Sequence, residues 1–523
     1  MSYYCIKMSH YLKIGNYKDL PQGLDRRLYR FFEMLPGILI WGTFLLVVLF
    51  AWLKPIWIAV FIIAFDLYWL FKVVYFSIHT RSAYRRMKKY VKIDWLEEVK
   101  KLPPKILEEG AASSYEDLWH LVVLPIYQES YEVVRSSVEA IAQSHWPKEK
   151  MIVVLAIEKG IGGDIAERLD AEYNDKLPNL FVTEHPPGLP GEIPGKGSNE
   201  RWAGIWIKDN FIDKNNIPYE NIIVSSMDSD TVVYPHYFSR LAYMYLTVAH
   251  PLRSSFQPIP LFINNIWQAP ALSRVIAFSS TFWHTMNQER PEKHLTFSSH
   301  SMPFKALVDI GFWQPNVVSE DSRIFWQCFL YYKGDYRVHS MYYPVSMDAN
   351  VARSFWRTLK NVYKQQRRWA YGSADIAYFL FGFLKSGREI PKSLMWRYAF
   401  STISGFFSWG THAILIFVLG WLPLVLGGEE FNTTVISYNL PRVTRLLLTV
   451  AMLGIMSSVF LSMAILPPKP PEYGRWKYFF MVAQWLLIPV TLIFFGAFPS
   501  IEAQTRLMLG RYLGFWPTEK FRK

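Results

Sequence analysis

Cysteine is nearly absent. Cys5 and Cys328 are the only two in 523 residues, which excludes a disulfide framework and a cysteine-based zinc motif, and nothing in the chain calls for an oxidising compartment. Internal repeats and low-complexity tracts are missing as well. No cleavable signal peptide is expected either: Lys7, Lys13, Lys18, Arg26, Arg27 and Arg30 precede the first apolar run, a stretch too long and too charged for one. That run is expected to stay in the mature protein. The net charge is +13, but much of the basic excess flanks apolar runs, where the positive-inside rule already accounts for it, so no nucleic-acid partner is expected.

Long apolar runs, by contrast, are plentiful, and 17% of the residues are aromatic. Residues 36–53 (PGILIWGTFLLVVLFAWL) and 56–78 (IWIAVFIIAFDLYWLFKVVYFSI) are separated by Lys54 and Pro55 alone, which predicts a transmembrane helical hairpin. Basic residues on both sides of it, in 1–35 and in TRSAYRRMKKYVK, put both of its ends in the cytoplasm. Three further runs, near 398–426, 446–466 and 478–498, predict more spans. Glu429 and Glu430 mark an outer link, and PPKPPEYGRWK an inner one. The basic tail with Arg506, Arg511, Lys520, Arg522 and Lys523 belongs in the cytoplasm, although three full spans would place it outside; Pro489 allows a kinked or re-entrant last segment. Asp66 inside the second run costs about 2.5 to 3.5 kcal/mol to insert, so it pairs with Lys72 or lines a watery cavity. His412 carries the same ambiguity.

Between the two membrane regions the pattern changes. LVVLPIY (121–127), MIVVLAI (151–157), NLFVTEH (179–185) and NIIVSSM (221–227) read as strands, with SYEVVRSSVEAIAQ as a crossover helix after the first. Strands alternating with helices indicate a doubly wound, mostly parallel α/β sheet whose ligands bind at the carboxyl ends of its strands. The organisation expected is a cytoplasmic segment 1–35, a hairpin 36–78, a basic linker 79–118, an α/β domain 119–354, interfacial amphipathic helices 355–395, membrane helices 396–499 and a cytoplasmic tail 500–523. The fourth strand ends in Asp228-Ser-Asp230. A side-chain period of two would send both carboxylates out on one side. The pair reads either as an ordinary turn or as hard oxygen ligands for Mg²⁺ or Mn²⁺ carrying phosphates.

Two later pieces follow in order, Ser319-Glu320-Asp321 and Gln365-Gln-Arg-Arg368-Trp369. With Asp228-Ser-Asp230 they resemble the DxD, TED-like and QxxRW motifs of inverting family 2 glycosyltransferases, of the membrane-embedded kind that includes cellulose and hyaluronan synthases. The resemblance runs from about residue 36 to the end. It implies a GT-A-type domain in the cytoplasm, between the N-terminal hairpin and the C-terminal transmembrane helices. It also implies a nucleotide-sugar donor and Mg²⁺ or Mn²⁺ held by Asp230 and Asp228. Asp321, beside Glu320, is then the base that deprotonates the acceptor hydroxyl, its pKa raised by partial burial and neighbouring negative charge. On the residues alone, Glu320 and Asp321 equally suit the first turn of a helix. Arg368 would stabilise the departing diphosphate, and Gln365 and Trp369 would hold the acceptor sugar, unless that helix is only an interfacial anchor.

Pro125, Tyr127 and Glu129 resemble the family's opening segment at the nucleoside, and Glu158 stands where an aspartate usually contacts the base. Lys196 and Asn199, in GKGSN, match a Lys and an Asn near the nucleotide-sugar, though the stretch also reads as a loop before a helix. His300 lies near the acceptor region or is structural. The tail GFWPTEK resembles a gating loop, with Thr518 and Lys520 folding over the nucleotide and Pro517 in place of valine. The function expected is transfer of a sugar from a nucleotide-sugar to a growing polysaccharide or other acceptor, saccharide or lipid-linked, with the polymer extruded through the chain's own spans in the processive form, at the plasma (inner) membrane, with membrane lipids as surroundings. The alternatives are transfer to a lipid carrier and, from another class, a transporter or scaffold with an inactive domain.

Overall fold

The computed structural model describes residues 11–104, 112–514, 516, 521 and 522. It opens with α1 (Leu24–Leu53) and α2 (Pro55–Tyr90), separated by Lys54. Pro55 sits at the first turn of α2, where its missing N–H costs nothing. The helix then runs past its apolar stretch, so residues up to Tyr90 are helical where a linker was expected to begin at 79.

The sheet begins with β1 (Trp119–Ile126), crosses over through α3 (Tyr131–Gln143), and continues with β2 (Met151–Glu158), β3 (Leu180–His185), α4 (Lys196–Ile207) and β4 (Ile222–Ser226). These are the expected segments. Leu121 and Val123 enter one core, and Val122, Leu124 and Ile126 enter the other, so a continuous apolar run is what a strand covered on both faces requires.

Four strands gave no comparable signal: β5 (Val232–Val233), β6 (Ser254–Phe262), β7 (Ser301–Pro303) and β8 (Arg337–Met347). Between them lie α5 (Ala271–Asn287), after β6, and α6 (Glu320–Tyr331), after β7. Pro258 and Pro260 lie in β6 and Pro344 in β8, residues that argue against a central strand; the register with β8 slips between Gln257 and Ile259 to accommodate them. The order is β3-β2-β1-β4-β7-β6-β8-β5. β3, β2, β1 and β4 are parallel, as are β6 and β8, while β7 and β5 run against their neighbours. The parallel half gathers the carboxyl ends of β1, β2 and β4 on one edge.

Past the sheet come α7 (Phe355–Ala370) and α8 (Asp375–Ser386), then α9 (Lys392–Phe417), α10 (Val435–Ala464) and α11 (Trp476–Met508). Among the described residues, α1, α2, α9 and α11 are the helices long and apolar enough to cross a membrane. Around Pro489 the backbone of α11 tightens to a 3₁₀ turn at Gln484–Leu487 and widens to a π-helix at Thr491–Ala497, a distortion of the kind proline imposes. α10 packs along α2. There Asp66 accepts a hydrogen bond from Thr444 Oγ1 at 2.9 Å. It does not pair with Lys72, whose ammonium lies over the rings of Tyr68 and Trp69. His412 stacks on Trp69 with centroids 4.5 Å apart. Apolar helices and sheet are joined where α5 meets α2 and the irregular part of α11, and where α7 meets the end of α11.

Candidate active site

β4 is buried along its whole length and ends at Ser226, two residues short of Asp228. Strand alternation therefore does not govern the two carboxylates, and each has its own partners. Asp228 Oδ1 lies 2.9 Å from Lys196 Nζ, and its Oδ2 accepts a hydrogen bond from Ser298 Oγ at 2.7 Å. Asp230 is buried, and its Oδ2 accepts the Asp348 N–H at 3.1 Å. Ser229 is tied down through its carbonyl, which accepts from Ser137 Oγ at 2.8 Å.

Lys196 is the first residue of α4, so GKGSN opens a helix rather than forming a free loop. Its ammonium stands 2.8 Å from Asp321 Oδ1 and 3.8 Å from Glu200 Oε1. Burial works against the charge, yet Asp228, Asp321 and Glu200 outweigh it and hold the pKa well above the ordinary lysine value. The neighbouring Gly197 is needed for close approach: a Cβ there would sit 3.0 Å from Glu320 Cβ.

Glu320 and Asp321 occupy the first turn of α6, which meets the helix-start reading and the site reading at once. Asp321 is partly buried, and its neighbour more deeply so. Glu320 is buried, and desolvation followed by the Asp321 charge pushes its pKa up to about 7, with Lys196 and Arg368 pulling the other way. Glu200, also buried, is held well above the usual carboxylate range by desolvation. The start of α6 is anchored by a pair the sequence did not announce, Arg323 Nε to Asp375 Oδ1 at 2.7 Å; the Ser319 and Ser322 hydroxyls also donate to Asp375. Since Asp375 opens α8, this pair locks the Ser319-Glu320-Asp321 turn to the start of α8.

On α7, Arg368 acts electrostatically on Glu320, and Gln365 and Trp369 line one cavity with Asp348 and Asn350. Arg367 turns away to Glu502 of α11, at 2.6 Å, and Tyr363 donates to the same carboxylate at 2.8 Å. His300 is fully buried. Its Nδ1–H donates to the Phe297 carbonyl at 3.0 Å, and Nδ1 stands 3.9 Å from Asp321 Oδ1. Burial lowers its pKa to about 4, so it is a neutral ring behind Asp321 with no surface for an acceptor, contrary to the acceptor-binding expectation.

At the other strand ends, Pro125 lies within β1, and the Tyr127 N–H just beyond it donates to Glu129 Oε2 at 2.8 Å. Glu158 Oε2 lies 2.9 Å from His185 Nδ1, whose Nε2 faces Glu192 at the same distance. Asn199 is buried, and its Nδ2 donates to the Ala156 carbonyl at 2.8 Å. It ties α4 to β2 instead of presenting its amide group to a nucleotide.

A model of glycosyl transferase family group 2 matches residues 223–495, more than half of the chain. The chain belongs to this family. It is a glycosyltransferase. Among solved structures, it is similar to the mannosyltransferase PcManGT from Pyrobaculum calidifontis, solved with GDP-Man and Mn²⁺, at 14% identity and a TM-score of 0.40, covering 77% of this chain and 98% of that one. It is also similar to S. aureus TarS 1–349 with UDP-GlcNAc, at 11% identity and a TM-score of 0.36, covering 76% and 93%. Among curated proteins none matches.

In the glycosyltransferase, Asp228 and Asp230, an all-oxygen pair on one loop, are the residues that could hold a divalent cation. Among the described residues, no three His, Cys, Asp or Glu side chains form a closed cage. That set fits a hard cation completing its shell with diphosphate oxygens. Beyond the motifs, the enzyme's tail also reaches the site. Arg522 lies 2.6 Å from Asp348 Oδ1, donates through Nε to both Asp348 oxygens at 3.1 Å, and reaches Ser136 Oγ at 2.8 Å. Thr518 and Lys520, expected to gate, lie outside the described residues. Ser298, Asp348, Arg323, Asp375 and Glu200 belong to no motif, and no local signal in the sequence would have selected them.

Proposed function

We propose that this glycosyltransferase is a membrane-bound, inverting enzyme of the cellulose and hyaluronan synthase type, moving a sugar from a nucleotide-sugar to a polysaccharide or other saccharide. Its α/β domain, residues 119–354, faces the cytoplasm at the plasma (inner) membrane. One observation carries the reading: a single buried ammonium, Lys196, touches both Asp228 at the strand edge and Asp321 at the helix start. Donor-side and acceptor-side carboxylates thus share one centre.

In this reading Asp321 takes the proton from the acceptor hydroxyl as that oxygen attacks the sugar carbon from the face opposite the nucleotide. Arg368 offers a planar two-point contact to the departing diphosphate. Lys196 keeps Asp321 and Asp228 at a fixed separation while charge moves between them. A divalent cation on Asp228 and Asp230 would supply further positive charge to the leaving group. Gln365 and Trp369 seat the acceptor. A scaffold or transporter with an inactive domain has no need to keep all of Asp228, Asp230, Glu320 and Asp321, and all are present.

The test is to incubate the purified protein in lipid with a panel of nucleotide-sugars and Mg²⁺ or Mn²⁺, then to measure nucleoside diphosphate release and product size. A long polymer selects the processive form and a single addition to a lipid carrier selects the alternative. Absence of release from every donor defeats the proposal.

A further inference from the structure

His185, the last residue of β3, is buried between two carboxylates. Its Nδ1 lies 2.9 Å from Glu158 Oε2, at the carboxyl end of β2, and its Nε2 lies 2.9 Å from Glu192 Oε2. Each ring nitrogen needs its own proton to donate to its carboxylate, so the bridge is complete with the ring as an imidazolium. Such a buried group of charges is weak as a stability device, because apolar residues of similar volume often serve as well or better. Its place suggests a ligand instead. Parallel sheets bind ligands outside the carboxyl ends of their strands, where Glu158 stands. Oε1 of Glu158 is buried and has no hydrogen-bond partner among the described residues, so a ligand that brings a donor to it is favoured.

Glu192 belongs to residues 186–195, PPGLPGEIPG, which connect β3 to Lys196 at the head of α4. Gly188 and Gly191 bend this segment with φ of 77° and 81°, a region where other residues are strained. Three contacts fasten its second half. Glu192 holds His185, the Ile193 N–H donates to the Pro315 carbonyl at 2.9 Å, and the Ile193 carbonyl accepts from Ser198 Oγ at 3.0 Å. Of the three, the Glu192 contact reaches back to β3 and, through His185, to Glu158. One buried ring thus ties the end of β2 to the segment that leads into Lys196.

We propose that His185 and Glu192 are positioning residues for the donor: they fix the Glu158 carboxylate and the 186–195 segment in place before the nucleotide arrives. This rests on the transferase reading above, with the nucleoside beside Glu158 and the diphosphate beside Lys196 and Asp228. Groups that are already ordered add no ordering cost on binding. Once Glu192 is removed, that cost falls on any ligand that carries a nucleoside, and not on diphosphate alone.

The test uses the full chain in lipid vesicles with Mn²⁺ and calorimetric titration of UDP, GDP, CDP, dTDP and inorganic pyrophosphate. For the nucleoside diphosphate that the wild type binds most tightly, Glu192→Ala is expected to raise the Kd about tenfold, the effect of one lost charge-assisted hydrogen bond. The Kd of pyrophosphate should change by less than about twofold. His185→Asn keeps an N–H for Glu158 but cannot reach Glu192, so the same rise is expected, and this variant carries the test if Glu192→Ala does not fold. Glu192→Gln keeps an oxygen for the Nε2–H and should stay within about threefold. In turnover, the donor KM should follow the Kd while the acceptor KM moves by less than about twofold. A lower melting point with an unchanged nucleoside diphosphate Kd, an equal loss of pyrophosphate affinity, or a tenfold rise in Glu192→Gln overturns the proposal. Failure of the wild type to bind any of the nucleoside diphosphates, or to release one from any donor, is a different result and defeats the transferase reading on which this one rests.

Discussion

Lys196 lies 2.8 Å from Asp321 Oδ1 and 2.9 Å from Asp228 Oδ1, joining the first turns of α4 and α6 to the loop after β4. Without the ammonium, Asp228, Asp321 and Glu200 would face one another uncompensated. Lys196→Met is expected to cost about 3 kcal/mol of stability, the usual effect of breaking a buried pair from one side, and at least a hundredfold in kcat/KM. Lys196→Arg should recover more stability than turnover, because the guanidinium does not fit the same point contact. Melting in detergent and steady-state kinetics read the two effects, and an unchanged melting point in Lys196→Met would show that the ammonium does not hold the centre together.

Asp230 and Asp321 separate binding from chemistry. Asp230→Asn should weaken metal-dependent nucleotide binding. Asp321→Asn should leave that binding nearly intact while lowering turnover by roughly 10² to 10⁴, the range for a general base. Calorimetric titration with nucleoside diphosphate, alongside turnover, checks both. Turnover in Asp321→Asn above about a tenth of wild type would remove its assignment.

Glu320 makes the stability of the folded enzyme depend on pH. Its pKa is pushed up to about 7 by burial and by Asp321, while in the unfolded chain it titrates near 4.5, the ordinary glutamate value. Below the unfolded value it is protonated in both states and its contribution is complete. Between the two values the unfolded chain binds fewer protons than the native one, so stability falls as pH rises, and the contribution is lost above the folded value. Glu320→Gln should therefore gain on wild type as pH is raised from about 4.5 to 7, and the gap should level off above that. Melting points across that window, without donor, provide the measurement. A constant gap would mean that Glu320 is ionised throughout.

The parallel half of the sheet was legible because β1, β2 and β4 are covered on both faces and open as apolar runs, while the edge strand β3 shows its apolar residues only at its start. The other half was not, since β6 and β8 carry Pro258, Pro260 and Pro344, which argue against a strand unless a register shift absorbs them. The carboxylate motifs were readable as residue types at fixed spacing. Their partners were not, because Ser298, Asp348 and Asp375 come from distant segments and carry no pattern of their own. Asn199 and His300 failed for a third reason: position in sequence suggested contact with substrate, while folding engaged one with the Ala156 carbonyl and buried the other behind Asp321.

The ion pair of Arg522 with Asp348 puts residue 522 against the α/β domain. A cysteine at that position, in a Cys5→Ser background, should label from the side of sealed vesicles on which the α/β domain is digested by protease. Labelling only from the opposite side would restore a tail beyond a full last span and remove any role for it over the nucleotide. Arg522→Ala should also raise the KM for the donor more than that for the acceptor, because Asp348 is the residue whose N–H holds Asp230.

Arg368 and Trp369 decide between a substrate-binding helix and a mere membrane anchor. The helix that carries them is fastened to α11 through Arg367 and Tyr363, both on Glu502, so its anchoring is supplied by other residues. Arg368 is instead felt by Glu320, and Trp369 packs beside Phe262 in the cavity wall. If Arg368 meets the diphosphate, Arg368→Lys keeps the charge but loses the planar two-point contact, and kcat should fall by about tenfold or more. If Trp369 holds the acceptor sugar, Trp369→Ala should shorten or abolish the product while changing nucleotide affinity much less, since its ring lines a cavity beside Phe262. An anchoring helix behaves differently: Arg368→Lys would be nearly silent, and Trp369→Ala would lower the melting point without altering product length. Nucleotide affinity, turnover, melting point and product length on the two variants separate these outcomes, and a silent Arg368→Lys would take the diphosphate contact away from α7.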